Sequence, residues 1–214
     1  RVYVWDARRD APSPHAQESP ERKNAGESMS AKFSEAAGPF CLPNIPDEKC
    51  IVFIGMAGAG KTTVGRMVAR SLGWAFADSD HIIEAAYGAP LQDITDALGK
   101  EAFIDLEAEI VGSLRFQRTV IATGGSAVYS EAAMAHFKSV GTVVYLRLSF
   151  ETVEKRLGNF THRGVVMPEG YTLRDLYDER CALYEQYADI TVDESRGDSI
   201  GDVLDSLCVH FECD

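Results

Sequence analysis

The run Gly55-Met-Ala-Gly-Ala-Gly-Lys61-Thr62 sets a lysine and a hydroxyl directly behind a glycine-rich turn, in the spacing GxxxxGK[ST]. Gly55, Gly58, Ala59 and Gly60 carry small or absent side chains, so backbone N–H groups can converge on phosphate oxygens. The row continues through Lys61, Thr62 and Thr63 into what should be a helix N-terminus, which adds partial positive charge. Lys61 would reach the outer phosphates, and the Thr62 hydroxyl is a ligand for magnesium. The chemistry this pattern points to is the binding of a nucleoside triphosphate, ATP, with Mg2+.

Three further groups of residues have side chains suited to transferring what such a nucleotide carries. Asp78-Ser79-Asp80 offers two carboxylates, Asp78 to organise magnesium and Asp80 to orient or deprotonate an acceptor hydroxyl. The same triplet also suits a helix cap, which would occupy Asp78 or Ser79 and leave Asp80 free. Thr123-Gly124-Gly125-Ser126 pairs two glycines where a backbone could approach a ligand closely. Arg156, Arg163 and Arg180 are the candidate cations, although an isolated arginine is more often a solvated surface residue.

These groups need elements that hold them together. CIVFIG, from Cys50 to Gly55, reads as a buried strand, and the residues after Lys61 have apolar positions at Val64, Met67, Val68 and Leu72, the spacing of a helix. Further strands are predicted near Trp74 to Ala77, at Thr119 to Thr123, at Thr142 to Leu148 and at Asp189 to Asp193. Helices are predicted at Asp80 to Tyr87, Gln92 to Leu98, Glu101 to Leu114, Glu131 to Phe137, Phe150 to Leu157, Leu173 to Tyr187 and Ile200 to Phe211. Strands alternating with helices imply an α/β fold, a parallel sheet of about five strands covered by helices on both faces. In such a sheet ligands gather at the carboxyl ends of the strands, where the glycine-rich turn, Asp78 and Gly124 would all lie. The polar stretch 158–172, aperiodic and containing Gly and Pro, reads equally as a mobile lid or as a plain surface loop.

Composition narrows the function classes. The chain has 214 residues, 45% of them hydrophobic, and a net charge of −12. Residues 1–28 hold five basic and five acidic groups, so the acidic excess belongs to the remainder. Without a basic patch, such a protein is expected to bind neither nucleic acid nor a membrane surface. No apolar run approaches the roughly 20 residues of a spanning helix. Five scattered cysteines without a CxxC pair fit a reducing cytoplasm better than a disulfide or zinc framework. Residues 1–28 are expected to be a disordered extension, with Met29 as the natural start, 29–49 a linker and 50–214 a single domain. A monomer acting on a small molecule is the corresponding expectation.

Taken in order, GMAGAGKTTVGR (55–66), FADSDHIIE (76–84), GKEAF with Glu107, IATGGSAV (121–128), the Arg156 to Arg163 stretch and ERCALYEQYADITVD (179–193) resemble the shikimate kinase family of P-loop kinases. The resemblance runs from about Cys50 to Asp193. It implies phosphoryl transfer from ATP, with magnesium and a closing lid, to a hydroxyl of a small metabolite. On that basis Lys61, Asp80 and Arg163 are catalytic. Arg156 packs on adenine, Gly124 and Gly125 touch the acceptor with their backbone, and Arg180 is one of two arginines that clamp a carboxylate.

The chain departs from the family pattern GExxFRxxE. It reads Gly99-Lys-Glu-Ala-Phe103-Ile104-Asp105-Leu106-Glu107, with Ile104 in place of the second clamp arginine. Ser126 replaces a third glycine, and the lid reads HRGVVMPEG. An unpaired acceptor carboxylate would cost several kcal/mol. The expected acceptor is therefore homoserine, whose ammonium and short chain suit Asp80, Asp105, Ile104, Ser126 and Arg180. Shikimate is the alternative, and a non-catalytic nucleotide-binding module is the reading from another class.

Overall fold

Five short segments rich in β-branched and aromatic residues form one parallel sheet: β1 (Cys50–Ile54), β2 (Ala75–Asp78), β3 (Thr119–Ala122), β4 (Gly141–Arg147) and β5 (Ile190–Asp193). The computed structural model describes residues 43–158, 170–193 and 199–211, all within the compact unit Ala37–Asp214. The strands lie in the order β2-β3-β1-β4-β5, every neighbouring pair parallel. β1 is buried along its whole length, as a strand covered on both faces must be. In register, Phe53 of β1 faces Ala122 of β3, which faces Asp78 of β2. The carboxyl ends of three strands thus stop in one row, and the turns that leave them open on the same side.

Eight helices connect and cover the described strands: α1 (Lys61–Leu72), α2 (Ser79–Tyr87), α3 (Leu91–Leu98), α4 (Lys100–Ser113), α5 (Glu131–Val140), α6 (Phe150–Leu157), α7 (Leu173–Tyr187) and α8 (Ser199–His210). α1 packs on β2 and β3 and against α8, which lies on β5. α5 and α7 pack on β4, with α4 against α5. The main core fills these layers with Phe53, Val68, Val120, Val144, Met134, Tyr184 and Leu204 among others. A smaller apolar cluster of Ile83, Ile94 and Phe103 joins α2, α3 and α4. It fixes the three helices that carry Asp80 and Glu107 to one another.

The α/β architecture and all five strands follow the sequence pattern, and the differences lie at ends. β4 starts at Gly141 and stops at Arg147, because its last partner is Asp193 at the end of β5. α5 runs to Val140, three residues beyond the expected end. The last residues of the expected 29–49 linker are built into the fold: Ile45 is buried in the core, and Asp47 pairs with Arg118. The expected extension 1–28 with Met29, the first part of that linker and most of the expected lid lie outside the described residues. Among the described residues no helix is long and apolar enough to cross a membrane.

The start of β4 tests the register. Gly141 faces Cys50, and a Cβ placed there would run into the Cys50 carbonyl oxygen. Because the clash is with backbone in the middle of the sheet, Gly141→Ala is expected to lower stability by about 2 kcal/mol or more, read as a shift in the urea unfolding midpoint.

Candidate active site

The glycine-rich turn leaves β1 at Ile54 and enters α1 at Lys61. Gly60, the residue before the helix, has φ 87°, in the left-handed region that a side chain disfavours. Lys61 is 8% exposed and donates to the carbonyls of Gly55 at 2.8 Å and Met56 at 3.0 Å, so its ammonium lies across the mouth of its own loop. Burial lowers its pKa to about 8, a fall that the nearby Asp80 and Asp78 oppose. Exposed Arg156 of α6 reaches the same loop, its Nη1 donating to the Gly58 carbonyl at 2.9 Å.

The Asp78-Ser79-Asp80 triplet divides its tasks. Asp78 ends β2 and caps α2, one carboxylate oxygen accepting from the Asp80 N–H at 3.2 Å and the other from the Thr62 hydroxyl at 2.8 Å. Ser79 is spent on structure, its hydroxyl accepting from the Gly124 N–H at 3.0 Å. Asp80 is left over: its buried Oδ1 has no hydrogen-bond partner. Burial and the neighbouring Asp78 raise its pKa to about 6. Thr62 and Asp78 fit magnesium, a hydroxyl and a carboxylate side by side, since a hard cation bound with phosphates takes only one or two protein oxygens. Among the described residues no cluster of three or more His, Cys, Asp or Glu forms a separate metal centre.

Gly124 and Gly125 follow β3 and meet both remaining parts of the site. A Cβ on Gly124 would lie 2.6 Å from Glu107 Oε1 and 2.7 Å from Asp80 Oδ1, so only glycine lets these carboxylates close in. Glu107, 1% exposed on α4, accepts from the Ser126 hydroxyl at 3.0 Å through Oε2, while Oε1 has no partner. Burial, with Asp80 adding to it, raises its pKa to about 7. On α7, Arg180 is 2% exposed and its Nε donates to the Tyr129 hydroxyl at 3.3 Å. Tyr184, one turn further, donates to the Gly125 carbonyl at 2.7 Å and ties α7 to the glycine pair.

A cavity of about 410 Å³ gathers most of these groups. Gly58, Gly60, Lys61, Thr62 and Thr63 line one side of it; Asp78, Asp80, Gly124, Gly125, Ser126 and Arg180 line the rest, with Leu91 and Phe103 as its apolar wall. Two expected acceptor contacts are not among them. Phe103 and the buried Glu107 set the inward face of α4, and at about 100° per residue Ile104 turns a quarter away and Asp105 to the far side. Ile104 is accordingly half-buried off the cavity wall, and Asp105 is exposed. Arg163 lies outside the described residues. Sequence reading passed over Phe103 and Leu91 as lining residues and Tyr129 as the support of Arg180. The four-residue step from Phe103 to Glu107 was the available signal for the α4 face.

Glu107 offers a test of this electrostatic arrangement. Its folded-state pKa lies above its ordinary value, so its contribution to stability is complete below about pH 4.5 and is lost as pH rises through about 7. Glu107→Gln removes the ionisation; the variant is expected to melt several degrees above the unaltered protein at pH 8 and close to it at pH 5, by thermal denaturation without ligand. A difference that does not change with pH would contradict the arrangement.

Comparison with known proteins agrees with this geometry. The family model for shikimate kinase matches residues 57–207. A shikimate kinase of Thiobacillus denitrificans is 39% identical over 149 residues, 68% of this chain and 81% of that protein. One from Cupriavidus pinatubonensis is 40% identical over 166 residues, covering 76% and 85%. Among solved structures, the shikimate kinase from Acinetobacter baumannii in complex with shikimate matches with a TM-score of 0.69 and 33% identity, over 80% of this chain and 94% of that one.

Proposed function

We propose that this chain, which belongs to the shikimate kinase family of ATP- and magnesium-dependent kinases, uses shikimate as its acceptor. The observation that carries the reading is the pairing, in one cavity wall, of the buried guanidinium of Arg180 with the unpartnered carboxylate oxygen of Asp80. The first suits a carboxylate and the second a hydroxyl, on a ring that bridges them past the glycine pair.

The expectation of homoserine rested on Ile104 standing in place of the second clamp arginine, with Ile104 and Asp105 as contacts of the acceptor. Both stand off the cavity wall, and the relatives compared are shikimate kinases, so the acceptor reading passes to shikimate. A binding module without transferase activity is likewise set aside, since the family is one of kinases, and the lining of one cavity by Lys61, Thr62, Asp78 and Asp80 supports the same reading.

In this reading the nucleotide's outer phosphates lie in the loop from Gly55 to Thr62. Thr62 and Asp78 would hold magnesium, which would supply neutralisation of phosphate charge. Lys61 exchanges the Gly55 and Met56 carbonyls for phosphate oxygens. Above about pH 6 Asp80 is ionised and accepts the proton of the acceptor hydroxyl, whose oxygen bonds to the terminal phosphorus as the bond to the departing ADP oxygen breaks. Arg156 would flank the base, as the family resemblance implies, and Arg163 would reach the phosphates.

A coupled ADP-release assay with shikimate, homoserine and gluconate in parallel tests the acceptor: turnover is expected with shikimate alone, and turnover with homoserine but not shikimate would overturn the reading. In the same assay Lys61→Ala is expected to lose at least about 100-fold in kcat while melting within a few degrees of the unaltered protein.

A further inference from the structure

Lys100, the first residue of α4, holds its ammonium nitrogen 4.7 Å from the centre of the Tyr129 ring, and the guanidinium carbon of Arg180 stands 5.3 Å from the same ring. The two charges are therefore no more than about 10 Å apart. Arg180 lines the cavity; Lys100 is half-buried outside its lining, three residues before the lining residue Phe103 and on the same side of α4 as Phe103 and Glu107. We propose that Lys100 is a specificity-determining residue of the acceptor site, its ammonium meeting the acceptor's carboxylate from the side opposite Arg180. The proposal rests on the reading of the acceptor as shikimate.

Three observations support it. Among the described residues Lys100 makes no hydrogen bond and no ion pair; the Tyr129 ring is its recorded partner. Its position is also costly. A positive charge at the first residue of a helix opposes the helix dipole, and a second cation on the same ring adds repulsion. An anion between the two cations reverses the sign of both costs. Finally, Asp78 and Asp80 in the cavity and Glu107 beside it outnumber Lys61 and Arg180, so an anionic acceptor enters an acidic site. A third cation, on the ring that Arg180 also faces, offsets that excess.

The local sequence is consistent with this exchange of roles. Set beside GExxFRxxE, the segment from Gly99 to Glu107 has Lys100 for the glutamate and Ile104 for the arginine. One turn of helix separates the two positions, so a charge lost at the second is restored at the first, on a four-carbon stem able to lean toward the cavity.

The test uses Lys100→Met, which keeps the stem on Tyr129 and removes the charge, and Lys100→Arg, which restores it. Steady-state kinetics are run with shikimate and with its neutral methyl ester. For Lys100→Met we expect KM for shikimate to rise about tenfold, with kcat, KM for ATP and KM for the ester all within twofold of the unaltered protein. Lys100→Arg should return KM for shikimate to within threefold. An unchanged KM for shikimate in Lys100→Met, or an equal rise for the ester, would overturn the role of Lys100 and leave the acceptor standing. No turnover of shikimate by the unaltered protein would overturn both.

Discussion

Everything in this site depends on holding carboxylates together in a space that water scarcely reaches. Asp80 and Glu107 each present an unpartnered oxygen to the same α-carbon, that of Gly124, and each resists ionisation chiefly because it is buried, with Asp78 adding to the effect at Asp80 and Asp80 at Glu107. Two cations, Lys61 and Arg180, are buried within the same group and offset part of this charge. Buried ionisable groups usually cost stability unless paired or hydrogen-bonded, and here the pairing is incomplete until ligands arrive. Ligand binding thus relieves a strain that the folded chain carries at rest.

The sheet is what makes that arrangement possible. β1, β3 and β2 end in a row, and the phosphate loop, the glycine pair and Asp78 leave from those ends. No loop has to travel far to meet its partners. The small cluster of Ile83, Ile94 and Phe103 then locks α2, α3 and α4, so that Asp80 and Glu107, 27 positions apart in sequence, converge on one glycine. Tyr184 does the same for α7, bringing Arg180 to the opposite side of the glycine pair.

Much of this was legible in the sequence, for definite reasons. The phosphate loop could be read because its spacing, its strand and its helix are contiguous, so no tertiary information is needed. All five strands were visible because buried parallel strands are short apolar runs bounded by turns. Asp78, Asp80, Gly124 and Arg180, which line one cavity, were visible as candidates because each stands at the end of an element or in a motif carried by the family resemblance. Ile104 and Asp105 were misplaced because sequence position was allowed to stand for helix face: Phe103 and Glu107 define the inward side, and the residues between them turn away. The Ser126 hydroxyl was read as a contact for an acceptor, whereas it also serves the buried Glu107. Tyr129 carried no sequence signal, since its importance comes from two cations belonging to different helices.

The resting position of Lys61 has a consequence for what can enter the loop. Its ammonium is bonded to the carbonyls of Gly55 and Met56, so the socket is filled by the protein's own lysine. An incoming anion must return at least as much as those two bonds before the side chain swings over to it. A polyphosphate with its metal ion meets that requirement at several oxygens together. Entry of a polyphosphate thus trades bonds that the loop makes to its own lysine for bonds to phosphate, so the lysine reaches its ligand without leaving a charge unpaired on the way.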